Sequence, residues 1–179
     1  MPDPLNPRYS YGGGKIISEL LTLNYGRKLI PRVVVFRPHN VYGPDMGREH
    51  VIPQFVLRMK ELKAHSPSPI PFPIQGTGKE TRALLYVDDF VAGLLKLMEH
   101  GEHLNIYHIG SMSETAIADL ALAVARQLGI KIAVVPGALT AGSTLRRCPD
   151  TRKLKALGFV PKIELGEGLA RTVPSYLGT

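Results

Sequence analysis

The chain has 179 residues, 44% of them hydrophobic and 21% charged, the composition of a folded soluble domain rather than a disordered or fibrous chain. No apolar run approaches the roughly 18 residues a membrane span requires, and Met1-Pro2-Asp3-Pro4 shows neither the basic nor the apolar part of a signal peptide. The net charge of +7 is spread without a basic run, which argues against nucleic acid as a partner, and the single cysteine, Cys148, excludes an internal disulfide and fits a reducing, cytoplasmic setting.

Residues 1–9 hold three prolines and no periodicity, and read as an extended lead-in. From Tyr11 to Tyr25 the apolar residues Ile16, Ile17, Leu20, Leu21 and Leu23 follow a helical period, with Gly26 as the stop. Pro31 to Phe36 is a β-branched run expected as a strand buried on both faces. Val51 to Leu62 is helical, with Pro53 tolerated in the first turn. Ser66 to Pro73 has proline at every second position and reads as a stiff loop.

Leu84 to Val87 is a strand, after which Asp88 or Asp89 caps a helix running to about Glu99. Asn105 to Ile109 is a strand, Ser113 to Leu128 an amphipathic helix and Lys131 to Val135 a strand. Gly137 to Ser143 is a small-residue loop, and short helices near 151–157 and 165–177 complete the reading. Strands alternating with helices predict an α/β protein with parallel pairing.

Tyr11 and Lys15 are separated by Gly12, Gly13 and Gly14, and residues at i and i+4 share a helix face. An ammonium beside a phenol favours the phenolate, which would let a tyrosine act as a base nearer neutral pH. Tyr9 lies six residues from Lys15 and points to another face. Each of the glycines costs roughly 1 kcal/mol relative to alanine in a helix, so they either permit a close approach or mark a frayed start. The segment Arg37-Pro38-His39-Asn40-Val41-Tyr42-Gly43-Pro44 follows a strand, where open α/β sheets place ligands; the plain alternative is a turn formed by Asn40 and Gly43.

Other motifs fail. Gly76-Thr77-Gly78-Lys79 lacks the spacing of a P-loop, and His100-x-x-His103 has no third metal ligand, so no metal is expected. Cys148 stands beside arginines that would lower its pKa, but no histidine or asparagine supports it as a nucleophile. Neither G-x-G-x-x-G nor G-x-x-G-x-x-G occurs.

Four blocks together carry a resemblance: Tyr11-x-x-x-Lys15, Arg37 to Pro44, Gly76-Thr77-Gly78 through Arg82 to Tyr86-Val87-Asp88-Asp89, and Arg146-Arg147-Cys148-Pro149-Asp150 with Leu157-Gly158-Phe159-x-Pro161. In this order they resemble the C-terminal half of an extended short-chain dehydrogenase/reductase, in the branch of NAD-dependent nucleotide-sugar epimerases, dehydratases and decarboxylases. The resemblance implies an NAD(P)-binding Rossmann-like fold. Residues 1–44 would end the cofactor-domain core, and 45–179 would be mainly the substrate-binding lobe, with the glycine-rich half absent.

In the family, the tyrosine takes a hydroxyl proton of the sugar while NAD, rather than NADP, accepts the hydride; the lysine bonds the nicotinamide ribose. Tyr11 and Lys15 match these positions as catalytic and cofactor-binding residues. Pro38 and His39 would lie near the nicotinamide carboxamide, and Asn40 would bind the diphosphate or sugar. His50 is a further substrate contact. Arg82 and one of Arg146 and Arg147 match the family's diphosphate clamps, as planar guanidiniums suit phosphate oxygens.

The partner implied is a nucleoside-diphosphate sugar, and a homodimer through the helix of Tyr11 and Lys15 is expected, unless its apolar stripe is ordinary core. The expected activity is oxidation to a transient keto sugar, with the 179-residue chain inactive alone. Epimerisation, dehydration and decarboxylation all stay open. The alternatives are a non-catalytic sugar-nucleotide-binding or interaction module and, behind it, a nucleic-acid-binding protein.

Overall fold

A computed structural model describes residues 5, 9–139 and 143–178. The reading of residues 1–9 as an extended lead-in falls largely outside the described residues, as do 140–142 of the loop at 137–143.

Helix α1 spans Tyr9–Leu29. It continues through Gly26, which therefore does not stop it: Ile30 N–H still donates to the Gly26 carbonyl at 3.2 Å. Gly26 serves close packing instead. A Cβ there would stand 2.5 Å from Val33 Cγ2, and Val33 is buried. The glycines at 12–14 remain helical, and apart from the helix's own neighbouring atoms no described atom lies within 4 Å of where their Cβ atoms would be.

Strand β1, Val34–Pro38, runs parallel to β6, Asn105–Ile109, with Val34 opposite Asn105 and Pro38 opposite Ile109. The expectation that β1 is buried on both faces is not met. Val34 and Val35 are half-buried and Phe36 is 42% exposed. The cause is geometric: among the described residues β6 alone pairs with it.

Beyond a two-residue link, β2, Val41–Tyr42, pairs in parallel with β5, Leu85–Tyr86. Helix α2, Val51–His65, buries Ile52, Pro53, Phe55, Val56 and Met59 on one side. Strand β3, Ile70–Pro73, corrects the expectation of a loop. Ile70, Phe72 and Ile74 are buried, while Pro71 and Pro73 face out. The strand pairs in parallel with β8, Ile132–Val135. Proline is admissible there because an edge strand need not donate from every residue.

A short mixed sheet forms next. Strand β4, Thr81–Ala83, is antiparallel to β7, Glu114–Ala116, and parallel to β9, Arg146–Arg147. Residues 114–116 are therefore strand, and helix α4 is shorter than expected, Ile117–Gln127. Helix α3, Val87–His100, is not capped by an aspartate side chain. Asp89 is buried and accepts the Lys162 and Ile163 N–H groups at 2.9–3.0 Å, pinning a distant loop. Asp88 pairs with Arg171 at the surface. Helices α5, Arg152–Ala156, and α6, Leu165–Thr172, and a 3₁₀ turn, Val173–Tyr176, complete the described chain.

Two apolar clusters result. The larger joins α2, α4, α6 and the 3₁₀ turn through residues such as Val56, Phe72, Leu120, Leu169 and Val173. The smaller joins α3, β6 and α5 through Leu97, Tyr107, Ile109, Leu154 and Phe159. Each fully buried Leu or Ile contributes on the order of 1.5–3 kcal/mol from burial. No described helix is long and apolar enough to cross a membrane.

Candidate functional site

Parallel pairing brings separated segments to one cleft of about 420 Å³. Its walls include Asn40 from the β1–β2 link, His50 before α2, Arg82 on β4 and Arg147 on β9, all expected from the sequence as substrate contacts. Asn40 adopts φ 42°, in the left-handed region an asparagine tolerates. Its Nδ2 donates to the Ala83 carbonyl at 2.9 Å, and its own carbonyl accepts the Leu85 N–H at 3.2 Å. Asn40 thus shapes the bend between β1 and β2, and that bend presents it to the cleft; Gly43 lies on the far side of β2, packed against Val87, and is not part of the bend.

The arginines are set by the β4–β9 register, which places Arg82 directly opposite Arg147. Burial, and then the neighbouring Arg147 charge, pull the Arg82 pKa below its ordinary value, with Glu80 opposing. Arg82 donates to the Thr81 carbonyl at 2.7 Å, and neither Arg82 nor Arg147 has a carboxylate in ion-pair contact among the described residues. Two guanidiniums on paired strands, neither of them ion-paired to a carboxylate among the described residues, suit an anion with more than one oxygen, although the Glu80 carboxylate lines the same cleft.

The adjacent Arg146 differs. Its guanidinium grips Glu114 at 2.6 and 3.0 Å and is exposed. It lines a neighbouring recess together with Pro38, His39, Asn40, Arg147 and Cys148, so of the two adjacent arginines Arg147 is the one shared with the cleft. The expectation that arginines lower the Cys148 pKa is overturned: burial, followed by the Glu114 charge, pushes the thiol up, and Arg146 only partly offsets this.

Among the other lining residues that the sequence did not single out, three carry polar or charged groups of note. Glu80 is buried, and its own backbone N–H, with those of Thr77 and Gly78 and the Thr77 hydroxyl, holds its carboxyl below the usual range against burial. The Gly76-Thr77-Gly78 turn that wraps it has φ +84° at Gly78, which a side chain rarely adopts. The visible signal was that glycine spacing with an acid two residues on. Arg58 lies over the Phe72 ring at 4.7 Å and donates to the Pro73 carbonyl at 2.6 Å. The sequence gives no signal for it, because its ring partner Phe72 lies among alternating prolines that suit a loop as well as a strand. Gln75, just beyond β3, is the third.

Tyr11 and Lys15 are not among the residues that line the cleft, nor is any other described side chain of α1. They do share a helix face, with Lys15 Nζ 5.3 Å from the centre of the Tyr11 ring, and Tyr11 is exposed. The helix is tied to β1 by a bidentate pair, Arg37 Nε to Glu19 Oε1 at 2.7 Å and Nη2 to Oε2 at 2.5 Å. That bond raises the Arg37 pKa and lowers that of Glu19. Pro38 and His39 lie at the end of β1, next to Asn40. His103, one of two histidines weighed as metal ligands, has Nδ1 engaged by the Val33 N–H at 3.1 Å. The other, His100, lies 3.4 Å from Glu99. Among the described residues no group of three His, Cys, Asp or Glu could hold a metal.

Residues 1–110 match the model of the NAD dependent epimerase/dehydratase family. The chain belongs to this family. UDP-glucuronic acid decarboxylase 1 of Arabidopsis thaliana is 33% identical over 177 residues, covering 97% of this chain and 39% of the relative. Among solved structures, a dTDP-glucose 4,6-dehydratase from Streptomyces venezuelae with NAD and TYD bound is 30% identical at a TM-score of 0.76, covering 94% of this chain and 51% of that one. A UDP-glucose 4-epimerase with UDP-glucose from Thermotoga maritima is 29% identical at a TM-score of 0.80, covering 98% and 55%.

The relatives are thus nucleotide-sugar decarboxylases, dehydratases and epimerases, and solved family members carry NAD. The chain spans about two fifths to just over half of their length. The α/β fold with parallel pairs expected from the sequence is the fold of these structures. The family match ends at Gly110, whereas Arg147 lies beyond it, so the cleft joins matched and unmatched parts of the chain.

Proposed function

We propose that the cleft binds the diphosphate of a nucleoside-diphosphate sugar between Arg82 and Arg147, with Asn40 and His50 as further polar contacts, as part of an NAD-dependent nucleotide-sugar epimerase, dehydratase or decarboxylase. One observation carries the reading: the register sets two arginines from separate strands opposite each other, each without a carboxylate partner among the described residues. A phosphate clamp needs that arrangement, whereas arginines serving only the surface would be paired or apart.

In this reading Tyr11 is the base that takes a sugar hydroxyl proton, and Lys15, one helical turn away, bonds the nicotinamide ribose. NAD supplies the hydride acceptor when bound. The residues present fit part of that cofactor. Tyr11 and Lys15 share an exposed face, and Pro38 and His39 close the end of β1. A glycine-rich phosphate turn of the G-x-G-x-x-G kind is not in the sequence. We therefore propose that the 179 residues taken alone bind the sugar nucleotide without turning it over. These residues represent the end of the cofactor-domain core, 1–44, and mainly the substrate lobe, 45–179.

A uridine diphosphate titration of the 179-residue chain, followed by calorimetry and by amide shifts of Asn40 and Arg82, tests the reading. Saturable binding that Arg147→Met weakens supports it. Binding that Arg82→Met and Arg147→Met leave untouched, or no binding at all, would sink it.

A further inference from the structure

Two imidazoles meet at the carboxyl-terminal end of the β1–β6 ladder. The register sets Arg37 opposite His108, and the His39 N–H donates to the Ile109 carbonyl at 2.9 Å. His39 Nε2 then lies 2.6 Å from His108 Nδ1, with the half-buried rings stacked, centroids 4.8 Å apart. At that separation the facing nitrogens hold one proton. With none, lone pairs oppose; with two, N–H groups collide.

Proton counting shows what this bond tolerates. The neutral pair keeps one proton in the bridge and one on an outer nitrogen. The singly charged pair fills both outer nitrogens and keeps the bridge. A second positive charge can only enter the bridge itself, which breaks it.

We propose that His39 and His108 form a proton-sharing latch that pins the His39 ring to β6, and that the doubly charged pair releases it together with Asn40 and the adjoining wall of the cleft. Asn40 is the mechanical link. It follows His39 directly, holds a left-handed backbone, and bonds through its side chain to Ala83 and through its carbonyl to Leu85. The latch deepens the cleft reading and rests on it only for the role of Asn40. His108 is thus a positioning residue acting through His39.

The surroundings favour the closed form. Burial disfavours charge on both rings; the partner ring and then Arg37 of β1 oppose it further on His39. Around His108, Arg37 and Lys153 of α5 oppose charge, while Asp150 and Glu19 of α1 favour it.

The test is imidazole and amide NMR on the ¹⁵N-labelled 179-residue chain from about pH 8 to about pH 4.5. A histidine model peptide with the ordinary value near 6.5 serves as the reference. Groups interacting by more than about one unit lose protons in two macroscopic steps. His39 and His108 are expected to titrate in two joint steps, the second below that reference, with the Asn40 amide moving at that second step. In His108→Asn, which cannot titrate, His39 should show one step, moved upward, and the Asn40 step should be lost. His108→Phe offers a second variant with the same expectation.

Independent single steps at the reference midpoint, or an Asn40 amide indifferent to the second step, would overturn the latch. A uridine diphosphate titration in the same spectra addresses the cleft reading separately: its failure leaves the histidine steps unchanged.

Discussion

Helices α1 and α2 carry similar apolar residues and meet opposite fates. On α2, Ile52, Val56 and Met59 are completely buried against the larger cluster. On α1, Ile16, Ile17, Leu20 and Leu21 are each more than half exposed. What differs is the partner. Helix α2 has α4, β3 and the 3₁₀ turn beside it, whereas α1 is held by the Glu19–Arg37 pair and by Gly26 against Val33. An exposed ion pair adds at most about 1 kcal/mol. The cleft thus rests on the packed region, and the Tyr11–Lys15 pair rests on the loosely tied one.

The sharpest contrast lies in core substitutions and exchange rates. Leu120→Ala or Leu169→Ala, at fully buried positions, should destabilise the chain by about 2–5 kcal/mol in chemical denaturation. Amides of α1 should exchange with solvent deuterium much faster than those of α4. Equal protection of the two helices would erase the comparison.

Next in size is the clamp. Arg147→Met should lower uridine diphosphate affinity by roughly 10- to 100-fold, the scale of one lost hydrogen bond to a charged group. Arg146→Met, which gives up an exposed pair with Glu114, should lower it by less than about fivefold. Equal losses at both positions would mean that the register does not select between them.

A pH effect follows from the histidines. His39 and His108 both have pKa values below the ordinary value near 6.5, chiefly through burial. Below that value the unfolded chain binds more protons than the folded one, so folding opposes their uptake. Their contribution should be fully present above about pH 6.5 and lost as pH falls through the lowered folded values. Denaturation midpoints across pH should show this decline, and the double variant His39→Phe with His108→Phe should flatten it.

The smallest effects belong to α1. Gly26→Ala should cost about 1 kcal/mol by crowding stiff, buried Val33, despite alanine's better helix propensity. Leu20→Ala should change thermal stability by no more than about 0.5 kcal/mol, since its side chain is already exposed. A loss there comparable to Leu169→Ala would show that α1 has a partner in solution.

The sequence by itself determined the long periodic helices, a β-branched strand placed at 31–36 that the structure shifts to 34–38, the strand at 105–109, and the blocks that hold Asn40, Arg82 and Arg147. Those signals are local: side chains at i and i+4, or alternating along a strand, report their face without reference to the rest of the chain. Tertiary structure decided the remainder. Ile70, Phe72 and Ile74 carry a strand's period of two, but the intervening prolines suit a loop equally well, and only the pairing with β8 makes the segment a strand. Asp89 looked like a cap because a carboxylate near a helix start usually is one, yet its partners lie 73 and 74 residues away. Arg147 faces the cleft and Arg146 faces Glu114 because neighbouring strand residues point to opposite sides, and only the pairing with β4 and β7 fixes which side is which. The exposure of α1 was beyond any local reading, because a helix face specifies a need for burial and not the surface that meets it.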